Sequence, residues 1–149
     1  MREADLPFLS ALYASTRSEE MAQAPWTDEQ RAQFLQMQFD FQHKHYQQHY
    51  PDADFLMIER GGSDVGRLYL EAWGGEFRII DIALLPRWRG QGLGSAILDD
   101  VMRQARILGK AVELHVEKNN PATRLYRRLG FEAVEDKGVY DLLRRPPPA

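Results

Sequence analysis

The chain has 149 residues, 44% hydrophobic and 28% charged, with a formal net charge of −3, a balance that predicts one soluble domain over 1–149 with a substantial core. That charge gives no electrostatic case for nucleic acid as a partner. The absence of cysteine excludes disulfides, thiolate metal sites and a cysteine acyl-enzyme, and with an acidic start and no apolar run of spanning length it predicts a cytoplasmic protein without a membrane partner.

Residues 6–16 carry Leu6, Leu9, Leu12 and Tyr13 at helical spacing, with Asp5 and Pro7 as cap and first-turn residues. This predicts a short amphipathic helix, followed by a connection over 18–26. A long helix then runs from a cap at Thr27 or Asp28 to about Tyr50, where Pro51 stops it. Its apolar residues, among them Phe34, Met37, Phe39 and Phe41, wrap more than one face. Part of that surface is therefore expected to line a cavity or meet a partner, a homodimer contact included. Gln38, Gln42, His45 and Tyr46 set hydrogen-bonding groups on or beside it, as an acceptor-substrate pocket needs. A surface helix with incidental polar groups fits equally well. His45 and His49 are four apart, but His45-Tyr46-Gln47-Gln48-His49 lacks the glutamate of a zinc-binding H-E-x-x-H and no third ligand is identifiable, so no metal is expected.

The segment 54–60 alternates around Phe55-Leu56-Met57-Ile58, Gly61-Gly62-Ser63-Asp64 is a turn cluster, and strands over 65–73 and 77–85 follow, separated by Gly74-Gly75. Three sequential antiparallel strands argue against a purely parallel doubly wound sheet.

Next comes Leu84-Leu85-Pro86-Arg87-Trp88-Arg89-Gly90-Gln91-Gly92-Leu93-Gly94-Ser95, which reads as strand, glycine-rich loop and helix, a layout for binding an anion. Pro86 ends the strand, the glycines let the backbone approach a ligand, the helix start adds unpaired N–H donors, and Arg87 and Arg89 can add charge-assisted bonds. A Walker loop is excluded because no Lys-Ser or Lys-Thr pair follows, and a dinucleotide fingerprint is broken because its third glycine position is Ser95. A glycine-rich connection without a ligand is the plainer reading of this stretch. The helix over 93–108 buries Leu93, Ile97, Leu98, Val101, Ala105 and Leu108 and stops at Gly109. A strand over 111–117 completes a right-handed β-α-β crossover. The run 119–131 reads as a capped helix with Pro121 near its first turn and Gly130 at its end. Strands over 131–134 and 139–143 pair around Asp136-Lys137-Gly138, and 143–149 is expected to be a flexible proline-rich tail.

The pattern Arg89-x-x-Gly92-x-Gly94, followed by Asn119 or Asn120, Ala122, Leu125-Tyr126 and Gly130-Phe131, resembles the GNAT superfamily of acyl-CoA-dependent N-acetyltransferases. The likeness covers about 6–143 and is strongest over 79–131. It implies an α+β fold: a mixed, mostly antiparallel sheet flanked by helices, with a β-α-β crossover carrying the cofactor loop. It also implies acetyl transfer from acetyl-CoA to a small-molecule or peptide amine, with no metal. By the same resemblance the backbone of Ile82, Ala83 and Leu84 pairs with the pantetheine arm. Arg89, Gly90, Gln91, Gly92, Leu93, Gly94 and Ser95 would hold the pyrophosphate. Asn119 or Asn120 would bond the pantetheine or the acetyl-proximal amide. Tyr126 falls where the family often places the general acid for the departing thiolate, although a Leu-Tyr pair can simply pack a helix on the sheet. His115 stands where some relatives carry a glutamate, and an imidazole with a pKa near 6.5 suits proton removal; Glu71, Asp81 and Glu117 compete for that role. The family usually opens with a strand before its first helix, and here only five residues precede Leu6, so that strand is expected to be missing or shortened. Two other classes fit parts of the pattern: a non-catalytic acyl-CoA sensor, and a nucleotide-dependent enzyme using the glycine loop.

Overall fold

The structure is a computed structural model that describes all residues but Gln23, Ala24, Asn119, Pro121, Val139, Pro148 and Ala149, with Ser18, Glu19, Glu20, Ala22, Trp73 and Glu117 described by backbone alone. A 3-10 turn at Glu3–Asp5 leads into α1 (Leu6–Ala22) and α2 (Asp28–His49). Three strands follow, β1 (Asp54–Arg60), β2 (Ser63–Trp73) and β3 (Glu76–Leu84), and then a 3-10 turn, Pro86–Trp88, and α3 (Leu93–Ile107). The chain continues through β4 (Ala111–Glu117), α4 (Thr123–Arg128), β5 (Glu132–Lys137) and β6 (Tyr140–Arg145). The six strands form one sheet in the order β1-β2-β3-β4-β6-β5, antiparallel throughout except for the parallel pair β3 and β4. This is the mixed α+β sheet that the sequence implies.

The end of α1 and the start of the tail differ from the sequence reading. Helix α1 continues to Ala22, through part of the expected connection; the hydroxyls of Ser15 and Thr16, just before that stretch, donate back to the carbonyls of Leu12 and Tyr13. No strand precedes α1 among the described residues; the Met1 amine instead donates to the Phe55 carbonyl of edge strand β1 at 3.1 Å. The tail expected from 143 starts later, since Leu143 is buried opposite Leu114 and Arg144 is anchored in β6 by Glu76 at 3.0 Å. At α2 the cap is Thr27: its hydroxyl accepts from the Gln30 N–H and the Gln30 side chain accepts from the Thr27 N–H, a reciprocal capping box.

Helix α3 lays Leu98, Val101, Met102 and Ala105 on Ile79, Val112, Leu114, Val116 and Leu143, with Tyr126 and Phe131 closing the end of this core. On the opposite face α1 and α2 pack around Leu9, Tyr13 and Phe39.

Two irregularities in β3 set up everything that follows. Tyr69 pairs with Asp81 while Leu70 pairs with Ile79, so Ile80 is an extra residue in the strand, a β-bulge. Side chains alternate across a strand; without the bulge Ile79 and Asp81 would share a face. With it, Ile79 enters the α3 core and Asp81 turns toward α1 and α2. The parallel pairing of β3 with β4 also ends at Ile79 and Leu114, and beyond it the two strands diverge. Leu85 donates its N–H to Val65 on the β2 side, so alternation turns the peptide groups of Leu84 and Ile82 toward the gap.

Gly66 lies against this strand so closely that a Cβ would collide with the Ala83 carbonyl oxygen and meet Leu84 Cδ2 at 2.8 Å. Gly66→Ala is expected to destabilise the fold by about 1–3 kcal/mol, as overpacking against backbone does, measured as a lowered urea midpoint at unchanged slope. Gly75→Ala, where nothing lies within 4 Å of the added methyl, is the control expected to stay near wild type.

Candidate active site

The splay of β3 from β4 is flanked by two features. One is the glycine loop. Gly90 and Gly92 have φ of 72° and 80°, left-handed values that side chains resist, and a Cβ at either would meet nothing within 4 Å. Backbone geometry, not crowding by the protein, therefore calls for glycine there. Gly92 is the N-cap of α3 and offers no side-chain cap, and the first bond back onto it comes from Ala96. The N–H groups of Leu93, Gly94 and Ser95 are thus left at the positive end of the helix without an intrahelical acceptor. Such a helix start can hold an anion. The loop's shape is held by Arg89, whose Nε donates to the Leu84 carbonyl at 3.0 Å, and by Gln91, whose Nε2 donates to the Arg87 carbonyl at 2.6 Å. Arg87 lies over the Trp88 ring.

The other feature is a cleft between α1, α2 and the sheet. One hollow of about 510 Å³ is lined by Gln42, His45, Tyr46, Asp81, His115 and Lys137, among others. A smaller one of about 230 Å³ extends it along Ile82 and Ala83 past Arg67 and Thr16. A third, of about 670 Å³, runs out under Phe34, Met37, Gln38 and Phe41. Arg17 and Gln42 border all three. The sequence-derived acceptor residues Gln42, His45 and Tyr46 and the base candidate His115 are therefore brought to one cleft, although 69 residues or more separate His115 from these three in the chain. Gln38 lines the outer hollow, where its Oε1 accepts from the Tyr13 hydroxyl at 3.3 Å.

Arg67, only 4% exposed, anchors the floor. Its Nε and NH2 both reach Asp81 Oδ2, its NH2 also donates to Gln42 Oε1 at 3.0 Å, and its guanidinium lies over the Tyr69 ring. Burial opposes its charge, but the Asp81 carboxylate beside it, with the phenol groups of Tyr69 and Tyr46, outweighs that and raises its pKa. Burial, then Asp81, pushes the Tyr46 phenol up, so it stays protonated and serves as a hydrogen-bond donor. His115 is lowered, by burial first and then by the Lys137 ammonium, so its imidazole is neutral at pH 7.

Tyr126 sits on the other side of the sheet, 6% exposed, its ring tilted against Phe131 at 5.9 Å. It lines none of the three hollows. Burial and then the Asp81 charge raise its pKa. Asn120 is tied to the start of α4, its Oδ1 accepting from the Ala122 N–H at 2.9 Å; Asn119 lies outside the described residues. Of the competing carboxylates, Asp81 is held by Arg67, Glu71 is buried beside Arg78 at 3.9 Å and away from the cleft, and the Glu117 side chain is outside the described set. His45 and His49 bring their rings to 4.2 Å, and the described residues hold no group of three or more metal-ligating side chains.

Arg67, Arg17 and Lys137 were not singled out by the sequence. Arg67 had a signal: a cation at an inward position of Val65-Gly66-Arg67-Leu68-Tyr69 needs a buried partner. Arg17 and Lys137 had none, because only tertiary structure brings α1 and β5 together.

Comparison with known proteins adds to this geometry. A family model described as the Acetyltransferase (GNAT) family matches residues 13–131. An N-alpha-acetyltransferase of Sulfurisphaera tokodaii is 35% identical over 60 residues, a match spanning 38% of this chain and only 36% of that relative. Among solved structures, the PaiA N-acetyltransferase of Thermoplasma acidophilum in complex with coenzyme A superposes with a TM-score of 0.73 at 15% identity, covering 98% of this chain and 95% of that one. An acetyltransferase from Thermus thermophilus gives 0.68 at 19% identity, with 98% and 93% covered. At such identities these two structures speak for the fold alone.

Breaking the Arg67–Asp81 pair from one side should be costly because it strands a charge. Arg67→Met is expected to destabilise by about 3 kcal/mol, the low end for a buried pair because Asp81 keeps some access to water. The double variant Arg67→Met with Asp81→Leu should recover most of that loss. Urea denaturation of the three proteins measures both.

Proposed function

The chain belongs to the GNAT family of acetyltransferases, and from that premise we propose that it transfers the acetyl group of acetyl-CoA to a primary amine of a small molecule or peptide, by direct attack within a ternary complex. The observation that carries the proposal is the splay of β3 from β4: it leaves strand backbone unpaired between a glycine-formed anion cradle and a cleft holding a neutral imidazole. The cradle passes a test of fit, since Gly90 and Gly92 hold left-handed backbone with open space above it and the first N–H groups of α3 have no side-chain cap.

Leu93, Gly94 and Ser95 would bind the pyrophosphate through backbone N–H groups, and Arg89 supports the loop from Leu84. The edge of Ile82 to Leu84 would pair with the amides of the pantetheine arm and direct it into the splay. Bound acetyl-CoA supplies an acyl group activated as a thioester. Within the cleft, His115 would accept the proton that the attacking amine must lose, directly or through water. Tyr46, held protonated, would donate a hydrogen bond to orient the acceptor. As the C–N bond forms and the C–S bond breaks, Tyr126 would donate to the thiolate. Its raised pKa makes full proton transfer to a thiol-like group of pKa about 8.5 uphill, so its contribution is hydrogen-bond stabilisation of the leaving group, completed by proton delivery from solvent. The chain has no cysteine, so no acyl-enzyme forms on a thiol.

Gly92→Asp places a carboxylate in the cradle and a side chain on left-handed backbone; acetyl-CoA binding by calorimetry should be lost while the fold is retained. Tyr126→Phe should lower kcat about tenfold or more with acetyl-CoA affinity nearly unchanged. For His115 the sign is fixed by its role as base: the neutral form is active and its pKa lies below 6.5, so kcat/KM should hold through pH 7 and fall with acid along a limb centred below 6.5. His115→Gln should abolish that limb; its survival would assign the base elsewhere.

A further inference from the structure

Strand β1 lies at one end of the sheet and pairs with β2 alone. The Phe55 carbonyl points to its open side, where it accepts from the Met1 amine. By alternation Phe55, Met57 and Glu59 turn their backbone groups outward, while Asp54, Leu56 and Ile58 bond to β2. Ile58 pairs with Gly66 and Glu59 with Asp64, so the extra residue of that irregularity, Val65, belongs to β2 and β1 itself stays regular. An edge of seven regular residues with the apolar centre Leu56-Met57-Ile58 is a template for a further strand. The opposite edge, β5, is guarded against pairing: it carries Glu132, Glu135, Asp136 and Lys137, and a bulge between Ala133 and Glu135. Side chains decide what fits on β1. Phe55 and Met57 face α1 and α2, against Tyr69 and the cluster of Leu9, Tyr13 and Phe39. The face toward α3 reads Asp54, Leu56, Ile58, Arg60. Leu56 and Ile58 line a hollow of about 410 Å³ against Ile97, and Leu56 is 45% exposed. Asp54 and Arg60 are exposed at the two ends, Arg60 lying over the Trp88 ring at 5.7 Å.

Acid, apolar, apolar, base is a series that complements itself when turned end for end. We propose that a second copy of this chain covers the edge, in a two-fold dimer whose β1 strands pair antiparallel about Met57. Met57 then exchanges backbone hydrogen bonds with Met57 of the second copy, and Phe55 with its Glu59, whose N–H takes over the Phe55 carbonyl from the Met1 amine. On the α3 face Leu56 of each copy packs on Ile58 of the other, and Asp54 pairs with Arg60 at both ends. These are the non-hydrogen-bonded positions, where side chains across an antiparallel pair approach most closely. Each copy uses its β1 edge once, so the assembly closes as a dimer and does not propagate. None of Asp54, Leu56, Ile58 and Arg60 borders the hollows around His115, so the dimer stands or falls independently of acetyl transfer.

Sedimentation velocity over a concentration series reads the assembly, with circular dichroism as the check that each variant is folded. Wild type is expected to be a dimer with a Kd of about 10 µM or below. Asp54→Arg and Arg60→Asp each set like charges opposite one another at both ends of the strand pair, and each should raise that Kd at least tenfold. Mixed in equal amounts, these two variants should recover the dimer, because one copy then brings two cations and the other two anions to the shared edge. Leu56→Lys, which spares both ion pairs, should weaken the dimer as well. A wild type that stays monomeric to about 100 µM would overturn the proposal, as would a dimer indifferent to all three substitutions, whose contact lies on another face. A mixture of the two charge variants that remains monomeric would refute the antiparallel register about Met57, and with it this interface.

Discussion

The site depends on one backbone constraint, the strand β3 that loses its parallel partner after Ile79 and carries a bulge at Ile80. The loss of pairing leaves peptide groups in the interior of a sheet without a neighbour, which proteins rarely tolerate unless something else satisfies them. The bulge reverses the facing of the strand within two residues, so that a residue of the α3 core and a carboxylate of the cleft come from the same short apolar run. Helix α3 then starts at the end of this strand, with uncapped N–H groups at the mouth of the gap. Anion cradle, exposed strand edge and cleft are consequences of the same departure from regular pairing.

The energetic counterpart is the polar floor of the cleft. A guanidinium as buried as that of Arg67 is tolerable only when paired and hydrogen-bonded, and Asp81, Gln42 and the Tyr69 ring meet that need from three elements. Gln42 ties α2 to this pair, and Tyr46 packs beside it on Tyr69. The pair also sets the field felt by the phenols: Asp81 raises Tyr46 on one side of the sheet and Tyr126 on the other. Both phenols therefore stay protonated near neutral pH, and the lowered imidazole of His115 stays neutral there.

The fold itself was legible from the chain because its signals are local. The clean amphipathic stripe of α3, the turn clusters between β1, β2 and β3, and the Pro and Gly punctuation of 119–131 each depend on a few neighbouring residues. Reading ended where boundaries rested on competition between local choices. The extension of α1 to Ala22 has no single local signal, and residues 143–145 joined β6 because Leu143 found a place in the core and Arg144 found Glu76.

For the site the division is similar. The order of residues determined the loop, since the alternation of Gly90, Gly92 and Gly94 ahead of an amphipathic helix specifies backbone conformation without reference to the rest of the molecule. It also placed polar groups on α2 at Gln42, His45 and Tyr46. Tertiary structure alone decided that these line one hollow with His115, that Arg67 pairs with Asp81, and that Arg17 and Lys137 border the same hollow. The physical reason is register. A bulge that moves one residue, or a strand pair that ends at Ile79, changes which side chains meet across the sheet while leaving the hydrophobic period of the sequence almost unchanged.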